Sequence, residues 1–310
     1  MTANIRHHPD RSGRTQRWLA STLRGVLRSA MKPMFHPRIP VALLRTGMQA
    51  LASTTLRAPG ARFQPVCLGG VDGELVTAAR ENGQAVLYFH GGAYCVGSPA
   101  THRTITSYLA HQASCAVFAV DYRLAPEHPH PAAVDDALTA YRWLLENGYR
   151  HDQIHLAGDS AGGGLALVTA LQIRDLGLPP PASLVLISPW LDLTLSRREQ
   201  PVPTGEAMLS WDTLEHSARR YAGNNRHDPR VSPLFAELAH LPPTLVVVGT
   251  DEILLGDAEA LHQRLAATGA RHCLSVYENR WHVFPAHAGL LTSANDAIRE
   301  MATWMAASDA

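Results

Sequence analysis

The stretch Ile154-His155-Leu156-Ala157-Gly158-Asp159-Ser160-Ala161-Gly162-Gly163-Gly164 decides how the rest of this chain is read. Its first four residues are a mostly apolar run with the length of a buried strand. The glycine-rich residues after Ser160 open a helix over residues 161–176, which stops at Gly177 and the prolines at 179–181. A serine in this setting sits on a sharp turn from strand to helix. Small neighbours are needed there because the turn is tight and the helix must lie close to the strand. The Gly-x-Ser-x-Gly spacing alone is weak, and a structural turn with an incidental serine is the competing reading. The strand before it and the helix after it are what make it informative.

Outward from that turn the chain alternates. Strands are expected at 62–68, 74–78, 85–89, 116–120, 184–187, 245–248 and 273–277, and helices at 134–145, 258–267 and 292–305. The runs at 85–89, 116–120, 184–187 and 245–248 are apolar, without period-two polarity, which predicts a mostly parallel sheet covered on both faces: an α/β fold. Residues 1–12 read as polar and frayed. Residues 15–53 read as helical, with Leu19, Leu23, Leu27 and Met31 at four-residue spacing. Residues 190–233 break the rhythm with prolines, Trp211 and an arginine-rich helix around 217–221. This segment is expected to lie over the carboxyl ends of the strands, where such sheets bind ligands. The expected organisation is a helical cap from 1–55, a catalytic core from 56–189 and 234–310, and a cap insertion at 190–233.

The chain has 310 residues, 46% hydrophobic and 17% charged, with 27 basic and 27 acidic residues. That balance is globular, and a net charge of zero argues against a nucleic-acid partner. Cys67, Cys95, Cys115 and Cys273 are scattered, so neither a zinc site nor a disulfide framework is expected. No apolar run is long enough to span a membrane. Arg24 and Arg28 interrupt the segment where a signal peptide needs an apolar stretch, which leaves the cytoplasm as the expected location.

The second informative string is His90-Gly91-Gly92-Ala93-Tyr94, after the strand at 85–89. Glycines there let the backbone approach a carbonyl and present N–H groups to it. Gly91 and Gly92, with Ala161 after the serine, are expected to form an oxyanion hole. His90 precedes the loop and reads as its structural support. A serine nucleophile needs a histidine base and an orienting carboxylate, which α/β hydrolases supply in the chain order serine, acid, histidine. After the strand at 245–248 stand two adjacent candidates, Asp251 and Glu252. After the strand at 273–277 stands His282, with His287 as a decoy on the following helix. Asp159 reads as a local hydrogen-bonding residue that holds the turn. Trp190, Met208 and Trp211 are candidates for lining an acyl or alcohol pocket, or for ordinary core packing.

The chain resembles the hormone-sensitive-lipase-like branch of the α/β-hydrolase esterases. The residues that carry the resemblance are His90-Gly91-Gly92, the run Asp121-Tyr122-Arg123-Leu124-Ala125-Pro126-Glu127-His128-Pro129, the turn around Ser160, Ser232-Pro233-Leu234 and Trp281-His282-Val283-Phe284. Within the branch, the detail is most similar to bacterial acetyl-hydrolases and monoterpene lactone hydrolases. The resemblance implies an α/β-hydrolase fold and a cofactor-independent ester hydrolase acting through an acyl-enzyme on Ser160. It also favours Glu252 over Asp251 as the acid, because Glu252-Ile253-Leu254 fits the family pattern of carboxylate, any residue, leucine. Glutamate there departs from the family's usual aspartate. The expected partner is a small ester, with no cofactor, no metal and no nucleic acid; a homodimer is compatible with the sequence. Acyl transfer to an alcohol on the same triad, or a non-catalytic receptor on the same fold, are the alternatives.

Overall fold

The computed structural model describes residues 4–52 and 56–308. Nine strands form one sheet: β1 (Asn4–His8), β2 (Arg62–Leu68), β3 (Val71–Thr77), β4 (Ala85–Phe89), β5 (Ala116–Val120), β6 (Ile154–Asp159), β7 (Ser183–Ile187), β8 (Thr244–Gly249) and β9 (His272–Tyr277). Their order is β1-β9-β8-β7-β6-β4-β5-β3-β2. Pairings are parallel except β2 with β3 and β3 with β5. The α/β reading therefore holds, with the antiparallel hairpin at one edge.

Both faces of the sheet are covered, and β4 to β8 are buried at every position. Along β4, Leu87 and Phe89 join one core cluster, while Val86 and Tyr88 join the other. The first cluster includes α5 (Ala132–Glu146), α6 (Ala161–Asp175) and α8 (Leu255–Thr268). The second includes α4 (Arg103–Ala113) and α9 (Thr292–Ala306). Helix α4 is absent from the sequence reading. Its inward face carries Thr104, Thr106 and Ser107, all buried, and these dilute the apolar period.

The amino-terminal segment differs from expectation in two ways. Residues 4–8 are not frayed: β1 pairs in parallel with β9 from Asn4 opposite Cys273 to His8 opposite Tyr277. The cap expected over 1–55 thus begins with a strand of the main sheet. Asn-Ile-Arg-His-His has no strand periodicity, and only the open edge of β9 makes it one. The long helix is also broken. Helix α1 (Arg14–Val26) continues through a π-helical turn at Leu27–Met31 into the short α2 (Lys32–Met34), then stops before α3 (Val41–Ala52). Pro37 and Pro40 lie in the break. The chain rejoins helical structure at α3; Ser53, where the helical reading ended, lies outside the described residues.

Helix α7 (Trp211–Ala222) is the expected helix of the 190–233 segment, started by the Ser210 hydroxyl, which accepts the Thr213 N–H at 3.2 Å. Hydrogen bonds join this segment to the amino-terminal segment, among them one from Arg28 to the Thr204 carbonyl. The Thr213 hydroxyl donates to the Phe35 carbonyl at 3.0 Å, and Arg28 Nε donates to the Glu206 carbonyl at 3.1 Å.

Helix α6 packs so close to β4 that a Cβ on Gly162 would lie 2.0 Å from the Phe89 carbonyl oxygen. That oxygen is backbone of a central strand and cannot yield. Gly162→Ala is expected to destabilise the fold by about 3 kcal/mol or more, read as a drop in the denaturation midpoint at unchanged slope; a loss under about 1 kcal/mol would show that the helix can shift.

Candidate active site

Strand β6 ends at Asp159, and Ser160 follows with φ 54° and ψ −121° before α6 begins. A non-glycine residue in the left-handed half of backbone space is strained, and surrounding bonds have to hold it. The Ser160 N–H donates to the Ile187 carbonyl at 2.9 Å, while its own carbonyl accepts the N–H groups of Gly164 at 3.1 Å and Trp190 at 3.0 Å. The side chain is thereby presented above the carboxyl end of the sheet, and only 7% of the residue is exposed.

Two other loops converge on the same end of the sheet. Glu252 follows β8 and His282 follows β9, and the His282 Nδ1 lies 2.9 Å from Glu252 Oε2. Both side chains are buried. The other carboxylate oxygen, Oε1, accepts the Ser188 hydroxyl at 2.9 Å and the Gly249 N–H at 2.6 Å. Ser188 in turn accepts the Val283 N–H at 3.1 Å, so it holds the histidine loop and the acid together. Sequence reasoning passed over Ser188; its one signal is its place at the end of β7, beside the strand that bears Ser160. Burial alone would depress the His282 pKa. The bond to Glu252 and its charge, with the charges of Glu206 and Asp159, outweigh burial and hold it above the ordinary value of 6.5.

Asp251 points elsewhere. Its Oδ2 pairs with Arg24 of α1 at 2.8 Å, and Arg24 also donates to the Asn279 carbonyl at 2.8 Å. His287 is likewise apart, and not on the following helix: it closes a 3-10 turn, Phe284–His287, where burial brings its pKa down to about 4.

The loop after β4 corrects one expectation. The Gly91 N–H is not available to a substrate, because Asp159 Oδ1 accepts it at 3.0 Å. His102 Nε2 is also 3.2 Å from that N–H, but it faces Asp159 Oδ2 at 3.3 Å and so carries a proton itself. Tyr88 adds a third bond to the Asp159 carboxylate at 2.6 Å. Burial opposes the charge on Asp159, but the attraction of His102 and the bonds from His102 and Tyr88 prevail and keep its pKa below the usual aspartate value. Gly92 has φ 127°, which only glycine adopts at ease. The N–H groups of Gly92, Ala93 and Ala161 find no acceptor among the described residues. His90 supports the loop as expected: its Nδ1 bonds the Gly91 carbonyl at 2.8 Å, its ring stacks on Tyr122, and Tyr122 donates to the His90 carbonyl at 2.6 Å. Burial brings the His90 pKa down to about 3, so the ring stays neutral.

A narrow groove of about 20 Å³ reaches Gly92 and Ala93 between the amino-terminal helices and α7. Phe35, Ile39, Val41 and Leu44 line one wall, and Thr213 and Ser217 the other. Trp190, Met208 and Trp211 are not among its lining residues; Trp190 is fully buried in the core against Tyr94.

A family model described as the alpha/beta hydrolase fold matches residues 86–286. An acetyl-hydrolase of Streptomyces hygroscopicus is 41% identical over 75% of this chain and 79% of its own length. An esterase of Acinetobacter venetianus is 35% identical over 86% of this chain and 89% of its own. The crystal structure of a hormone-sensitive lipase from a metagenome library superimposes with a TM-score of 0.89 at 38% identity, covering 95% of this chain and 98% of that one. The chain therefore belongs to the α/β-hydrolase family, in its hormone-sensitive-lipase-like branch. It is an enzyme of the carboxylesterase class.

Removing the Asp159 carboxylate would leave the Tyr88 hydroxyl and the Gly91 N–H buried without acceptors. Asp159→Ala is expected to cost about 3 kcal/mol of stability, measured by urea unfolding at neutral pH.

Proposed function

We propose that this carboxylesterase works through Ser160, His282 and Glu252 on short-chain acyl esters, acetyl esters in particular. The observation that carries the reading is the buried 2.9 Å contact between His282 Nδ1 and Glu252, at the same end of the sheet as the strained Ser160. Glu252 fixes the imidazole with its proton on Nδ1, leaving Nε2 as the base. Ser160 Oγ attacks the ester carbonyl while Nε2 takes its proton. The carbonyl oxygen becomes an anion, and the N–H groups of Gly92, Ala93 and Ala161 receive it. His282 then hands the proton to the departing alcohol, leaving an acyl group on Ser160. Water, activated by the same histidine, releases the acid and restores the enzyme.

The described helical part of the amino-terminal segment, 14–52, and the insertion at 190–233 act as the cap. Between them a narrow groove with Phe35, Ile39, Val41 and Leu44 on one wall ends at Gly92 and Ala93. The acetyl-hydrolase relative supports the choice of acyl chain.

Ser160→Ala is expected to abolish both turnover of an acetyl ester and labelling by a phosphonate probe, followed by mass spectrometry. Labelling that survived the substitution would move the nucleophile elsewhere. Added alcohols are expected to leave the free acid as the main product; a predominance of transferred ester would favour acyl transfer.

The acid is tested by pH. A base must be neutral, so kcat/KM falls as pH drops through the His282 pKa, which Glu252 helps to hold above 6.5. Glu252→Gln is expected to cut kcat by about 10³–10⁴ and to move that acid limb to lower pH. Asp251→Asn is expected to do far less to either. The reverse order would identify Asp251 as the acid.

A further inference from the structure

From residue 11 to residue 71 the chain has no aspartate or glutamate, but ten arginines and lysines: Arg11, Arg14, Arg17, Arg24, Arg28, Lys32, Arg38, Arg45, Arg57 and Arg62. The rest of the protein holds the other 17 basic residues and all 27 acidic ones. A net charge of zero thus conceals a polarised molecule, with a cationic amino-terminal segment and an anionic body.

The structure neutralises little of this locally. Arg24 pairs with Asp251 and Arg45 with Glu127. Arg28 is spent on the Thr204 and Glu206 carbonyls, which carry no charge. Arg11, Arg14 and Arg17 have no carboxylate partner among the described residues, and all three are exposed. Arg14 and Arg17 lie on the outer side of α1, whose other side puts Ala20, Leu19, Leu23 and Leu27 against the core. The helical path from 14 to 34 spans about 31 Å at 1.5 Å per residue.

Apolar side chains stand among these cations. Trp18 is 69% exposed, Val26 is 53% exposed, and Leu43 on α3 is 61% exposed. Burying Trp18 inward is blocked, because the inner side of α1 is already occupied by Leu19, Ala20 and Leu23. A row of arginines with a tryptophan at solvent is what an anionic bilayer surface attracts: headgroup phosphates meet the guanidinium groups, and the indole partitions into the interface. We propose that the outer face of α1 docks this enzyme on anionic lipid bilayers. The enzyme would lie on the membrane and not cross it; no helix among the described residues is long and apolar enough to do so. The exposed indole and aliphatic groups favour a lipid interface over a nucleic acid, for which the cations alone would suffice. The proposal does not rest on the triad assignment, because binding can be read without turnover.

The test is co-flotation of the full-length enzyme with phosphatidylcholine vesicles, with and without phosphatidylglycerol, at low salt and at about 1 M salt. Binding is expected only with phosphatidylglycerol present, and it should be lost in high salt. Arg14→Glu with Arg17→Glu is expected to weaken it at least about thirtyfold, while kcat/KM on a soluble acetyl ester and the melting temperature stay unchanged. Vesicles should also induce a blue shift in tryptophan emission that Trp18→Phe abolishes. The proposal is overturned if phosphatidylglycerol vesicles do not bind the enzyme, if the double variant binds them as well as the parent, or if the Trp18→Phe shift is undiminished. It is also overturned if duplex DNA or polyglutamate binds as tightly as the vesicles.

Discussion

Everything at this site depends on how closely helix α6 approaches strand β4. Backbone meets backbone there, with no room for a Cβ on Gly162 beside the Phe89 carbonyl. The approach aims the first turn of α6, with the Ala161 N–H, at the loop that follows β4. It also forces Ser160 into a strained conformation, since the chain must reverse from strand to helix within one residue. The strain persists because three backbone hydrogen bonds, to Ile187, Gly164 and Trp190, fix the turn from both sides.

Buried carboxylates organise the loops around that turn. Asp159 holds the loop after β4 through the Gly91 N–H, and Glu252 holds the histidine. Glu206 accepts the N–H groups of Met208, Leu209 and Ile253, tying the 190–233 segment to the loop that carries Glu252. Asp257 accepts the N–H groups of Leu191 and Asp192, where that segment leaves the sheet. A carboxylate has several acceptor positions, so it can gather N–H groups from loops that lack regular partners. Burial is costly for such a charge, and its effect shows at Asp257, whose pKa is pushed up to about 7. One physical device thus anchors the loop after β4, the loop after β8 and the 190–233 segment. At Glu252 it meets a histidine.

The amino-terminal helix is held differently, by Arg24 reaching from α1 to the loops that carry Glu252 and His282. Arg24 meets Asp251 and Asn279, one residue from Glu252 and three from His282. Arg17, two turns before Arg24 on the same helix, has no carboxylate partner among the described residues and is exposed, as are Arg14 and Trp18. A single helix therefore pairs with the loop after β8 through Arg24 and meets solvent through Arg14, Arg17 and Trp18.

Local spacing carried much of this. The apolar strands, their alternation with helices and the strand–turn–helix at Ser160 depend on neighbours in the chain, so they can be read from it. The chain order of serine, carboxylate and histidine is legible for a different reason, the order that α/β hydrolases share, with each candidate after a readable strand. Other features depend on residues far apart in sequence, and only the folded structure decided them. Residues 4–8 are a strand only because β9 offers a free edge. Gly91 looks like a donor to substrate until Asp159, which lies 68 positions away, takes its N–H. Asp251 and Glu252 are adjacent carboxylates whose chemistry is nearly alike. Their directions part because α1 brings Arg24 to one while β9 brings His282 to the other. Sequence by itself determines which groups are present and which lie on one local turn. Which group each faces across the sheet is a matter of side-chain direction, and that is settled only when distant strands close against one another.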